Sequence, residues 1–161
     1  LKSGVRVYAF EPDPYAFKVL QASVGDNSNL TLINKAVSDH AGMAKLYFHK
    51  NAYADQVMWS RASSLVAEKG NVDQGHFVEV ELIDFREFIL SLSGPIGLLK
   101  MDIEGEEVKV LNALIDAGLT SRIRHIVVET HERIPVLKES TMALRRKIIE
   151  KKIKNIDLNW A

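Results

Sequence analysis

The stretch Leu98–Glu107, LLKMDIEGEE, is where the fold declares itself. Residues 96–101, IGLLKM, form an apolar run interrupted only by Gly97 and Lys100. Such a run, bounded by turn residues, predicts a central buried strand. Gly105 then opens a turn into a helix that carries Val108, Leu111, Leu114 and Ile115, and Gly118 closes it. Downstream, Ile123–Val128 reads as another strand, ending at Glu129-Thr130-His131, and Leu137–Lys152 as a final helix. Asn155–Trp160 is a candidate last strand.

Upstream the same alternation holds. Val5–Phe10 is a short β-branched and aromatic run, read as a buried strand with Glu11 just beyond it. Asp13-Pro14 is a helix start, an acidic cap followed by proline at the first helical position. Phe17, Leu20 and Val24 follow at near-helical spacing, and Gly25 ends the helix. Leu30–Ala36 and Lys45–His49 read as further strands, with a turn through His40-Ala41-Gly42 between them. Residues 50–76 show no sustained period and are expected to form a long, functional loop. Phe77–Ile83 alternates as a half-exposed strand, and Asp84 caps a helix bearing Phe85, Phe88, Ile89 and Leu92. Strands alternating with helices predict an α/β fold, a mostly parallel sheet with helices on both faces.

The 161 residues suit one domain, expected to span 1–161, and are enough to bury a core. Twenty-one basic and 21 acidic residues cancel, so no global field draws nucleic acid or anionic membrane, and neither is an expected partner. The absence of cysteine excludes a disulfide scaffold and a thiolate nucleophile. No apolar run approaches the ~20 residues that span a bilayer, and LKSGVRVYAF moves directly into a strand pattern rather than a leader. The expected location is cytoplasmic.

In open α/β sheets ligands bind beyond the carboxyl ends of strands. The residues there are Glu11, then Ser38 and Asp39, then Asp102 and Glu104, then Glu129 and His131. Glu11 can accept two hydrogen bonds from a ribose diol, its alternative being helix capping, for which Asp13 is better placed. Asp102 and Glu104 lie two apart, so on a strand both carboxylates point the same way. Glu129 and His131 share that spacing, and with Asp102 they can bind a metal or do acid–base work. No metal is assigned. Gly105 would let the backbone approach a ligand closely, while Glu106 and Glu107 are expected to favour the positive end of the next helix. His40, His49, His76 and His125 have no matching partners, and the cluster Arg145, Arg146, Lys147, Lys151, Lys152 and Lys154 reads as a solvated helix face.

Several of these segments together resemble the FkbM-type methyltransferases. VYAFEPDPYAF is similar to that family's second strand, NKAVSDHAGMAKLYF to its "AVSD…G…L" segment, SRASSL to its serine-rich loop and IVVETH to its following strand. KMDIEGEE is the most specific piece, matching a lysine-aspartate-x-glutamate-glycine segment with Met101 set between the lysine and the aspartate. The resemblance runs from about Val5 to His131. It implies a Rossmann-like, class I methyltransferase fold and transfer of a methyl group from S-adenosylmethionine to a hydroxyl of a small molecule or sugar. It also implies roles: Glu11 on the ribose, Ser38 or Asp39 near the adenine, and Asp102 and Glu104 facing the transfer region. Glu129 and His131 would lie opposite.

One departure stands out. The family's first strand and glycine-rich loop should precede Val5, where this sequence has only four residues. The domain is therefore expected to be truncated at its N-terminus, with two apolar strand edges left unpaired and cofactor bound weakly or not at all. Two rival readings accompany the methyltransferase: a non-catalytic Rossmann-like binding or assembly module, and a metal-dependent hydrolase using Asp102, Glu104, Glu129 and His131.

Overall fold

The computed structural model describes residues 4–59 and 62–160. Its elements in chain order are β1 (Val7–Phe10), α1 (Pro14–Val24), β2 (Leu30–Ile33), β3 (Ala36–Ser38), β4 (Gly42–His49) and α2 (Gln56–Trp59). Then come β5 (Val72–Asp84), α3 (Phe85–Ser91), β6 (Ile96–Met101), α4 (Glu107–Asp116), β7 (Ile123–Val128), α5 (Pro135–Glu150) and β8 (Ile156–Asp157). Ser60 and Arg61 of the SRASSL segment lie outside the described residues.

Local chemistry explains the boundaries. Asp13 caps α1, accepting from the Tyr15 and Ala16 amides at 2.8 and 3.3 Å, and Pro14 occupies the first turn. Asp84 caps α3 in the same way through the Arg86 amide. Gly118 adopts φ 69° after α4, a left-handed stop that glycine takes without strain.

The strands form three sheets rather than the single expected one. β1 pairs with β2 in parallel; β3, β5 and β4 form a mixed sheet in the order β3-β5-β4; and β6, β7 and β8 form a parallel sheet. Four of the five pairings are parallel, and the β4–β5 hairpin supplies the antiparallel one. The expected strand Leu30–Ala36 breaks because Asn34 turns out of line. Its side-chain amide donates to the Glu11 and Pro12 carbonyls at 2.7 and 3.2 Å, and the chain leaves one sheet for the next.

Among the described residues, β1 and β6 are each paired along one edge only. This corrects the expectation that Ile96–Met101 is a buried central strand. Leu98 is 61% exposed and only Met101 is buried, because no strand covers the second edge of β6. The expected last strand shrinks to the two residues of β8.

The main core lies under the C-terminal half, where Val110, Leu111, Leu114, Ile126, Val128 and Leu144 are at most 1% exposed. A smaller cluster of Ala36, Leu46, Val80 and Leu82 fills the mixed sheet. The strap at residues 62–71, within the expected loop, crosses back over the end of β6, with Ser64 bridging to Tyr47. No described helix is long and apolar enough to cross a membrane.

Candidate active site

Glu11, Asp102 and Glu104 open onto one cavity of about 250 Å³, shared with Lys35, Val37 and Ser63. Glu11 follows β1, and one of its carboxylate oxygens accepts from the Asp13 amide at 2.9 Å. Burial pushes the Glu11 carboxyl above its ordinary value, the Asp13 amide opposes this, and the Asp13 charge adds to it. Asp13, 1% exposed, is raised by burial too, and its Oδ2 has no hydrogen-bond partner among the described residues.

Asp102 and Glu104 do converge, though not by strand alternation, because β6 ends at Met101. The backbone bends instead, with Glu104 at φ 57°, a conformation costly for a residue with a side chain. Several contacts hold it there. Ser64 Oγ donates to the Glu104 carbonyl at 2.6 Å. Glu107, 2% exposed, accepts from the Ile103 and Gly105 amides at 3.0 and 2.9 Å. Gly105 has φ 124°, and a Cβ there would meet Val66 Cγ2 at 2.8 Å. At Gly105 the close approach seen is that of the chain's own strap.

His131 sits beneath this turn, 2% exposed, with Nε2 3.1 Å from Glu104 Oε2 and Nδ1 3.1 Å from Glu107 Oε1. Burial pulls the imidazole down, but the Glu104 and Glu107 carboxylates outweigh it and push its pKa up to about 9. Lys69, 5% exposed, completes the array with an ion pair to Glu104. Burial raises the Glu104 carboxyl, yet His131 and Lys69 prevail and hold it below the usual glutamate value. Asp102, Glu104 and His131 each bring one atom within 4.8 Å of the others. The Lys69 ammonium already supplies a positive charge there.

Asp102 shows no hydrogen bond among the described residues, and His131 Nε2 stands 4.0 Å from it. Burial raises its carboxyl, and the charges of Glu129 and Glu104 raise it further. Glu129 is its neighbour through strand register: Met101 pairs with Val128, and the Glu129 amide donates to the Met101 carbonyl at 3.0 Å. Its side chain lies 4.0 Å from Arg133, outside the cavity.

Ser38 and Asp39 are not brought to this cavity. Ser38 is buried, and its hydroxyl donates to Glu106 Oε2 at 3.0 Å. Asp39 bonds His40 and faces an open hollow with Arg86, Lys109 and Asp116. The cavity wall from that region is Lys35, which pairs with Glu81, and the buried Ala36 and Val37 of β3. Glu106 and Glu107 depart from their expected role as well: both are buried and bind side chains and loop amides rather than merely favouring the helix end.

Sequence reading missed Lys69 and Ser63, which lie in a stretch without period. Ser63 is 6% exposed, lines the cavity, and has a hydroxyl without a partner among the described residues. Of the other histidines, His40 pairs with Asp39, His49 stacks on Trp59 at 4.2 Å and His76 packs against Phe48 and Tyr53.

Comparison with known proteins identifies a family. The family described as the Methyltransferase FkbM domain matches residues 1–152. The 31-O-demethyl-FK506 methyltransferase FkbM of Streptomyces tacrolimicus is 29% identical over 163 residues, covering 88% of this chain and 62% of that protein. The chain thus spans less than two thirds of the length of that curated relative. No solved structure matches. With its family model matched over nearly the whole length, the chain belongs to the FkbM methyltransferase domain family.

Proposed function

We propose that this chain is the S-adenosylmethionine-binding part of an O-methyltransferase whose acceptor is a hydroxyl of a small molecule or sugar. The relative's printed name, a 31-O-demethyl substrate, supports oxygen as the acceptor atom. The single observation that carries the reading is the convergence of Glu11, Asp102 and Glu104 on one cavity at the ends of β1 and β6. The finer fold reading is a Rossmann-like class I arrangement. The run of parallel pairings and the free edges of β1 and β6 support it.

The residues present fit the cofactor. The cavity combines an acidic lining, which suits a sulfonium and a diol, with the buried Ser63 hydroxyl, which has no partner among the described residues. When bound, S-adenosylmethionine supplies a methyl carbon whose bonding pair leaves with the sulfur, turning the sulfonium into a neutral thioether. Glu11 accepts from the ribose hydroxyls with the carboxylate oxygen that Asp13 leaves free. Ala36 and Val37 form the wall offered to the adenine, in place of Ser38 and Asp39. Asp102 and Glu104 face the transfer region, and His131 and Glu129 stand behind them. The residues chiefly align the partners and handle the acceptor proton.

Titration with S-adenosylhomocysteine tests the assignment. Glu11→Gln weakens binding by about 1–3 kcal/mol if its charge holds the ribose. An unchanged affinity removes Glu11 from the site. Specific binding with no transfer to any hydroxyl acceptor would favour a non-catalytic binding module.

A further inference from the structure

We propose that Asp102 is the group that takes the acceptor's hydroxyl proton, and that Lys69, His131 and Glu107 are positioning residues that keep Glu104 out of that role. The inference rests on the methyltransferase reading and divides its four acid–base candidates by geometry.

A proton acceptor needs a free lone pair facing the substrate. Glu104 is the weaker acceptor: Lys69 and His131 both pair with its Oε2, and their positive charges draw down the basicity of the whole carboxylate, Oε1 included. His131 is no better, since both ring nitrogens lie 3.1 Å from carboxylate oxygens, whose charges favour the imidazolium over the neutral base. Its ring is also almost fully buried. Glu129 lies outside the cavity, beside Arg133. Asp102 alone lines the cavity with a carboxylate that accepts no hydrogen bond among the described residues. The charged groups around it are Glu104, Glu107 and Glu129 on the negative side and His131 on the positive, with Glu11 and Lys35 lining the same cavity. Burial and those carboxylates raise the Asp102 carboxyl above its ordinary value, which strengthens it as a base.

In the step, the acceptor O–H bond breaks and its electron pair stays on the oxygen to form the new bond to carbon. The proton ends on Asp102 Oδ, which becomes a neutral acid. Lys69, delivered by the strap, supplies the positive charge that lets Glu104 stay ionised beside Asp102. Without it, His131 alone would offset the carboxylates, and Glu104 would take up a proton more readily.

Carbon-13 NMR of the carboxyl groups and nitrogen-15 NMR of the imidazoles test the division in the wild-type protein. Asp102→Asn and Glu104→Gln assign the signals. The expected order is Glu104 below the ordinary glutamate value, Asp102 above the ordinary aspartate value, and His131 holding both protons until about pH 9. A His131 that is neutral at pH 7, or an Asp102 that titrates at its ordinary value, overturns the proposal. Lys69→Gln should move the Glu104 titration upward, whereas a merely space-filling Lys69 would leave it in place. In transfer assays Asp102→Asn should lower hydroxyl methylation by about 10²–10⁴-fold, and a loss under about threefold contradicts the role. Failure of the folded protein to bind S-adenosylhomocysteine sinks the methyltransferase reading instead, and the titration order remains readable.

Discussion

The chain builds two parallel β-α-β units, and they are unequally finished. In β1–α1–β2 no strand residue is fully buried, and no side chain of α1 is. In β6–α4–β7 the helix buries Val110, Leu111 and Leu114 completely, and β7 buries Ile123, Ile126 and Val128. α5 adds Leu144 and Ile148 from its far side. The difference separates support from capture. Asp102, Glu104 and His131 grow from the well-packed unit, so their geometry is fixed by the core. Glu11 grows from the shallow unit, where Tyr8 and Phe10 make edge-on aromatic contacts with Phe88. A ligand bridging Glu11 and Asp102 would therefore tie the less stable unit to the more stable one.

Truncating core residues breaks this contrast most severely. Leu111→Ala or Leu114→Ala should cost about 2–5 kcal/mol, and Leu20→Ala in α1 under about 1 kcal/mol. Urea unfolding reads both, and equal costs would contradict the asymmetry. Next come two glycines with positive φ. Gly105→Ala meets both the backbone penalty and Val66 at 2.8 Å, so it should cost about 2–4 kcal/mol. Gly25→Ala, at φ 58° with open space around it, should cost only about 1 kcal/mol.

Changing pH sharpens the comparison within the well-packed unit. His131 is raised from 6.5 to about 9, so it binds its proton more tightly folded than unfolded. Its stabilisation is fully present below pH 6.5 and is lost as pH rises through about 9. Asp102, raised by burial, works in the same direction at its own, more acidic range: its ionised form costs stability above its folded pKa, a cost relieved on acidification. His131→Gln should abolish the alkaline loss seen in thermal melts, and a loss that persists would place it elsewhere. The smallest expected effect is in amide exchange. Amides of β1 and β2 should exchange well ahead of those in β7.

Much of this was legible from sequence because local chemistry decides it. Asp13-Pro14 announced α1, Asp84 announced α3, and Ile123–Val128 carried its strand pattern end to end. That Glu11, Asp102 and Glu104 line one cavity was foreshadowed by their positions after strands, a rule that needs no side-chain detail. What failed depended on distant partners. The exposure of Leu98 depends on what pairs with the other edge of β6, which periodicity cannot reveal. Lys69 looked like any loop lysine, and only a fold that sets Glu104 against it explains its burial. Ser38 matched a motif, yet Glu106, 68 residues away, takes its hydroxyl.

The most direct measurement is a map of amide shifts as S-adenosylhomocysteine is added at millimolar concentration, where even weak binding registers. The account predicts changes clustered at Glu11, Val37, Ser63, Asp102 and Glu104, the residues around the shared cavity. Changes confined to Asp39, Lys109 and Asp116, or none in the folded protein, would contradict it.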